Sequence, residues 1–122
     1  MDVLIVDDDP TICKMFTRLL ERAGFMVKAV DNGLAAIAEL QQHKFRVIVS
    51  DFQMPFLKGT SFYEELAKEM PDMARRVVFV TGWARDPETR QSLAQYGRPV
   101  LKKPADPQEL LKVVRQIADS PA

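Results

Sequence analysis

The chain has 122 residues, enough for one domain, and its 47% apolar and 28% charged content is that of an ordinary globular fold. Its 17 basic and 17 acidic side chains cancel, which argues against nucleic acid or an anionic membrane as the main partner, since both select basic surfaces. No apolar run approaches a membrane span, no signal-peptide pattern opens the chain, and the single cysteine, Cys13, has no internal partner for a disulfide, so a cytoplasmic setting is expected.

Taken in chain order, the first element is the run VLIV (3–6), which predicts a strand. Behind it Ile12, Met15, Phe16, Leu19 and Leu20 recur at helical spacing, and Gly24 supplies a stop. MVKAV (26–30) predicts the second strand. Leu34, Ile37 and Ala38 begin a second helical stripe, with the only histidine, His43, at its polar, solvated end. VIV (47–49) predicts the third strand, and Phe62, Leu66 and Met70 a helix that ends at Pro71. VVFV (77–80) and VL (100–101) complete the strands, separated by a weaker helix around Leu93 and Tyr96. Leu110, Leu111, Val114 and Ile117 mark the last helix, and the final DSPA (119–122) is expected to fray, leaving 1–118 as the domain. The strand runs are short, β-branched and mostly not alternating, which is how strands covered on both faces of a parallel sheet read. Five strands alternating with five helices imply a doubly wound α/β sandwich, and the order 2-1-3-4-5 would make the first and third strands neighbours.

Asp9-Pro10, Asp86-Pro87 and Asp106-Pro107 each precede a helical pattern. Aspartate can cap the free N–H groups and proline suits the first helical position. Capping therefore accounts for Asp9 but not for Asp7 and Asp8, two further carboxylates at the end of an apolar strand. In doubly wound sheets ligands sit beyond the carboxyl ends of the strands, where the strand order reverses. Asp7 and Asp8 follow the first strand and Asp51 the third, so the three acids are expected to converge there. Thr81 and Lys103 occupy the corresponding ends of the fourth and fifth strands.

The pieces VDDDP, DFQMPFLKG, VTG and KKP, in this order and each at a strand end, resemble the receiver domain of two-component response regulators over essentially the full chain. The separations of 30 residues from Asp51 to Thr81 and 22 from Thr81 to Lys103 agree with that family. The resemblance implies a flavodoxin-like (βα)5 fold and a phosphoacceptor rather than an enzyme acting on outside substrates. It implies Mg2+ held by Asp8, Asp51 and the main-chain carbonyl of Gln53, with Asp7 acting mainly through a metal-bound water. Asp51 would be the nucleophile and the phosphorylated residue. Lys103 would balance charge on the transferred group, and Thr81 and the main-chain amide of Gly82 would hydrogen-bond it. Gln53 and Trp83 would tune the lifetime of the phosphoryl group, Trp83 by shielding it from water. The partner would be a histidine kinase or a histidine phosphotransfer protein, and the chain a monomer or weak dimer.

The chain also departs from the pattern. Where receivers commonly place a tyrosine or phenylalanine three residues before the lysine, it has Val100, so the usual switch through Thr81 to a swinging ring is in doubt. Ala105 replaces a common phenylalanine, and the segment QYGRP is atypical. The stretch from Arg75 onward also looks like receivers appended to hybrid histidine kinases. Two other functions compete: a receiver that no longer takes up phosphate and serves as a binding module, and an aspartyl-phosphate hydrolase. The second lacks an acid two residues after the nucleophile, where Gln53 stands.

Overall fold

The computed structural model describes residues 2–51, 62–82, 91, 94–102 and 105–119. Strands β1 (Val3–Val6), β2 (Val27–Val30), β3 (Val47–Asp51), β4 (Val77–Thr81) and β5 (Val100–Lys102) form one sheet. Every neighbouring pair is parallel, in the order β2-β1-β3-β4-β5. The helices are α1 (Pro10–Arg22), α2 (Gly33–Gln42), α3 (Phe62–Glu69), the single turn α4 (Pro71–Ala74) and α5 (Pro107–Ala118). Gln91 and residues 94–96 are also helical, in the region expected to hold the weaker helix.

Side chains alternate across a strand, so each strand feeds two cores. On one face Val3, Ile5, Val47, Val49, Val78 and Val80 meet Phe16 and Leu20 of α1 and Leu110 and Val114 of α5. On the other, Leu4, Val6, Ile48, Val77 and Phe79 meet Ala36, Ile37 and Leu40 of α2 and Phe62 and Leu66 of α3. Two covered faces explain why β1 and the leading parts of β3 (47–49) and β4 (77–80) are unbroken apolar runs. The edge strands β2 and β5 are partly exposed, and each carries an exposed lysine, Lys28 or Lys102, which discourages edge-to-edge pairing.

The helix termini follow the sequence closely. The Asp9 side chain accepts the Thr11 N–H at 2.9 Å and Asp106 accepts that of Gln108 at 3.0 Å, with proline following in both cases. At the end of α1, Gly24 has φ +98°. Its N–H donates to the Glu21 carbonyl and that of Phe25 to the Leu20 carbonyl, a Schellman stop that favours glycine. At the opposite pole of the sheet, Arg46 donates through Nε and Nη2 to the Ala118 carbonyl (3.2 and 2.9 Å), closing the end of α5 with a charge that suits its dipole.

Two helical stripes differ from expectation. In α2 the buried row is Gly33, Ala36, Ile37 and Leu40, while Leu34 and Ala38 face solvent. The segment GLAAIAEL is apolar nearly all round, so periodicity alone does not choose its face. In α1 Met15 is 55% exposed, since it lies at the rim of the row set by Phe16 and Leu20. The expectations for Asp86-Pro87, Leu93 and residues 120–122 lie outside the described residues.

Candidate functional site

The register of the sheet builds the acidic site. Val6 of β1 stands opposite Ser50 of β3, so the next residues along, Asp7 and Asp51, lie side by side at the strand ends. Carboxylate oxygens of Asp7, Asp8 and Asp51 all lie within 4.8 Å of one another. Asp7 is buried, Asp51 half-buried and Asp8 exposed, so the cluster opens toward solvent on one side.

Asp7 is held in place from several directions. Its N–H donates to the Val30 carbonyl at 3.1 Å, its Oδ1 accepts the Asp9 N–H at 2.9 Å, and its carbonyl accepts the Cys13 thiol at 3.3 Å. The fourth residue of α1 thus braces the first acid of the site, a contact that the lone cysteine gives no sign of in the sequence. Partial burial pushes the Cys13 thiol above its ordinary range, and the carboxylates of Asp7, Asp9 and Asp31 push it the same way. The thiol is therefore protonated, and a donor, at neutral pH. Ser50, buried beside Asp51, donates from its hydroxyl to the Asp51 carbonyl at 2.9 Å.

Thr81 is buried at the end of β4, opposite Lys102 of β5, and Gly82 follows it at the surface. Val100 is 40% exposed on β5, with no ring to move between a buried and an exposed position. His43 is exposed at the end of α2, as expected. Gln53, Trp83 and Lys103 lie outside the described residues. An open cleft of about 720 Å3 leads away from Asp7 and Asp8 between α1 and α2, with Lys14 and Lys28 on its walls. Neither lysine stands out in the sequence, because each belongs to an ordinary polar position of its element.

Clustered carboxylates offer only hard oxygen donors, which suit a small divalent cation such as Mg2+. An octahedral ion with oxygens at about 2.1 Å sets adjacent ligands roughly 3 Å apart and opposite ones roughly 4 Å apart. The observed span of the three acids, within 4.8 Å, fits with little rearrangement.

The fold and this strand-end site define a doubly wound α/β protein with an acidic pole, and the comparisons say which kind. The response regulator receiver domain profile matches residues 3–115. The protein PilH of Pseudomonas aeruginosa is 33% identical over 115 residues, covering 94% of this chain and 95% of its own. The sensor histidine kinase GacS of Pseudomonas protegens is 34% identical over 115 residues, which are 92% of this chain but 12% of the kinase. Among solved structures, a CheY-like receiver domain protein from Methanospirillum hungatei superposes with a TM-score of 0.82 at 28% identity, over 97% of this chain and 93% of that one. The chain belongs to the response regulator receiver domain family. Among the described residues, no helix is long and apolar enough to cross a membrane.

Proposed function

We propose that the chain is an active phosphoacceptor of a two-component phosphorelay, taking a phosphoryl group onto Asp51 from a phosphorylated histidine. The observation that carries this reading is the meeting of Asp7, Asp8 and Asp51 at the carboxyl ends of two adjacent strands. Asp8, Asp51 and the main-chain carbonyl of Gln53 would hold Mg2+, with Asp7 reaching it through water. When bound, the ion neutralises charge on the phosphoryl oxygens.

The chain supplies the rest. A carboxylate oxygen of Asp51 attacks phosphorus, an O–P bond forms, and the bond from phosphorus to the donor breaks with its electrons leaving on the donor. Lys103 offsets negative charge on the transferred group, while the Thr81 hydroxyl and the Gly82 amide donate hydrogen bonds to it. Asp7, buried and braced by Asp9 and Cys13, keeps the acidic pocket in shape before the donor arrives. A histidine kinase or phosphotransfer protein is the donor, a reading that the family and the match to a sensor histidine kinase support.

The test uses a small donor in place of the partner. Incubation with acetyl phosphate and Mg2+ is expected to add one base-labile phosphoryl group per chain, read by intact mass, with none added in EDTA. Uptake that ignores Mg2+, or no uptake at all, would contradict the reading.

A further inference from the structure

β5, which ends one residue before Lys103 in the sequence, is short and lies at the edge of the sheet. β5 has three residues, pairs only with β4, and buries only Leu101. Its register nevertheless matters, because residue 103 follows it directly. A one-residue slip would move that position by about 3.3 Å along the sheet and turn its side chain to the opposite face.

The chain just before β5 is pinned elsewhere. The Tyr96 ring lies 4.4 Å from that of Tyr63 on α3 and 6.1 Å from that of Phe79 on β4, and Tyr63 meets Phe79 edge-on at 5.3 Å. The Tyr96 hydroxyl donates to Glu64 of α3 at 2.8 Å. Gly97 then turns the chain with φ +65°. Arg98 Nε donates to the Val77 carbonyl at 2.9 Å, and the Phe79 N–H donates to the Pro99 carbonyl at 2.9 Å. The entry to β5 is thus clasped to α3 and β4 before its first paired residue, Val100.

We propose that Tyr96 is a positioning residue: its stack on Tyr63 and Phe79, reinforced by the bond to Glu64, fixes the register of β5, the strand that in sequence immediately precedes the lysine on which the proposed function depends. The inference rests on the phosphoacceptor reading for its consequence, but the clasp itself is read independently. Phe79 belongs to both halves of the arrangement, since its ring touches Tyr96 and its amide bonds to Pro99. Removing the ring at position 96 loosens that amide.

The test compares Tyr96→Ala and Tyr96→Phe with the wild type. In metal-free protein, hydrogen exchange of the Phe79 amide is expected to quicken in Tyr96→Ala and to stay near wild type in Tyr96→Phe, which keeps the stack. With saturating Mg2+ and acetyl phosphate, Tyr96→Ala is expected to take up the phosphoryl group at least roughly tenfold more slowly, since a misplacement of about 1 Å at a reacting centre costs up to about a hundredfold. Its Mg2+ affinity by calorimetry is expected to match wild type, because the acids come from β1 and β3. If the alanine variant does not fold, Tyr96→Leu carries the same test, with the same direction expected. An unchanged Phe79 amide, a wild-type uptake rate, or Mg2+ affinity lost in step with the rate would each overturn the proposal. A wild type that takes up no phosphoryl group would instead defeat the phosphoacceptor reading, while the amide exchange still decides whether the clasp exists.

Discussion

Asp8→Asn is expected to melt above the wild type in EDTA and below it in Mg2+. Three carboxylates whose oxygens lie within 4.8 Å of one another repel, and Asp7 among them is only 2% exposed. Two like charges 4 Å apart cost about 1 kcal/mol in water and about 4 kcal/mol at an effective dielectric near 20. Asp8 faces solvent, so the lower figure applies. About 1 kcal/mol raises the melting temperature of a domain this size by roughly 3–5 °C. A cation binding only the native state reverses the order, since at tenfold excess over its dissociation constant it stabilises the wild type by about 1.4 kcal/mol. Thermal melts of both proteins in EDTA and in Mg2+ read this crossing. A variant less stable than wild type in both buffers would mean that Asp8 serves the fold rather than a cation.

The largest expected effect on stability lies beneath the site. Ile5 is fully buried in β1, between β2 and β3 and in the same cluster as Phe16, Leu20 and Val114. Ile5→Ala removes side-chain volume where strands on two sides and helices above leave little room to collapse, and is expected to cost about 3–5 kcal/mol. That is a large share of a domain stability of about 5–15 kcal/mol. Met15→Ala, which the helical spacing alone would have ranked with the core, is expected to stay within about 0.5 kcal/mol because Met15 is half in solvent. Urea midpoints of the two variants check both values. Equal losses would mean that α1 presents a different face to the sheet.

Much of this arrangement was legible in the chain. The central strands announced themselves as unbroken apolar runs because both their faces are covered, and the Asp-Pro caps of α1 and α5 because capping is local chemistry. The convergence of Asp7, Asp8 and Asp51 was legible through their shared position at strand ends. The register that sets Val6 against Ser50 was not, because parallel pairing is decided by contacts far apart in sequence. The buried face of α2 was not legible either, since Leu34 and Ala38 are as apolar as the residues that were buried instead. The Tyr96 clasp joins residues more than thirty positions apart through ring contacts that leave no periodic trace. Cys13 likewise shows its bond to Asp7 only once α1 is folded back beside β1.

The central claim is that acids from separate strand ends gather around one divalent cation so that Asp51 can carry phosphorus. Borohydride reduction of the protein after treatment with acetyl phosphate and Mg2+, followed by peptide mass mapping, tests it most directly, because an aspartyl phosphate is reduced to homoserine at the residue that held it. Homoserine is expected at position 51 alone, and nowhere when Mg2+ is withheld. Homoserine at position 7 or 8, or a phosphoryl group that persists in Asp51→Asn, would contradict the account.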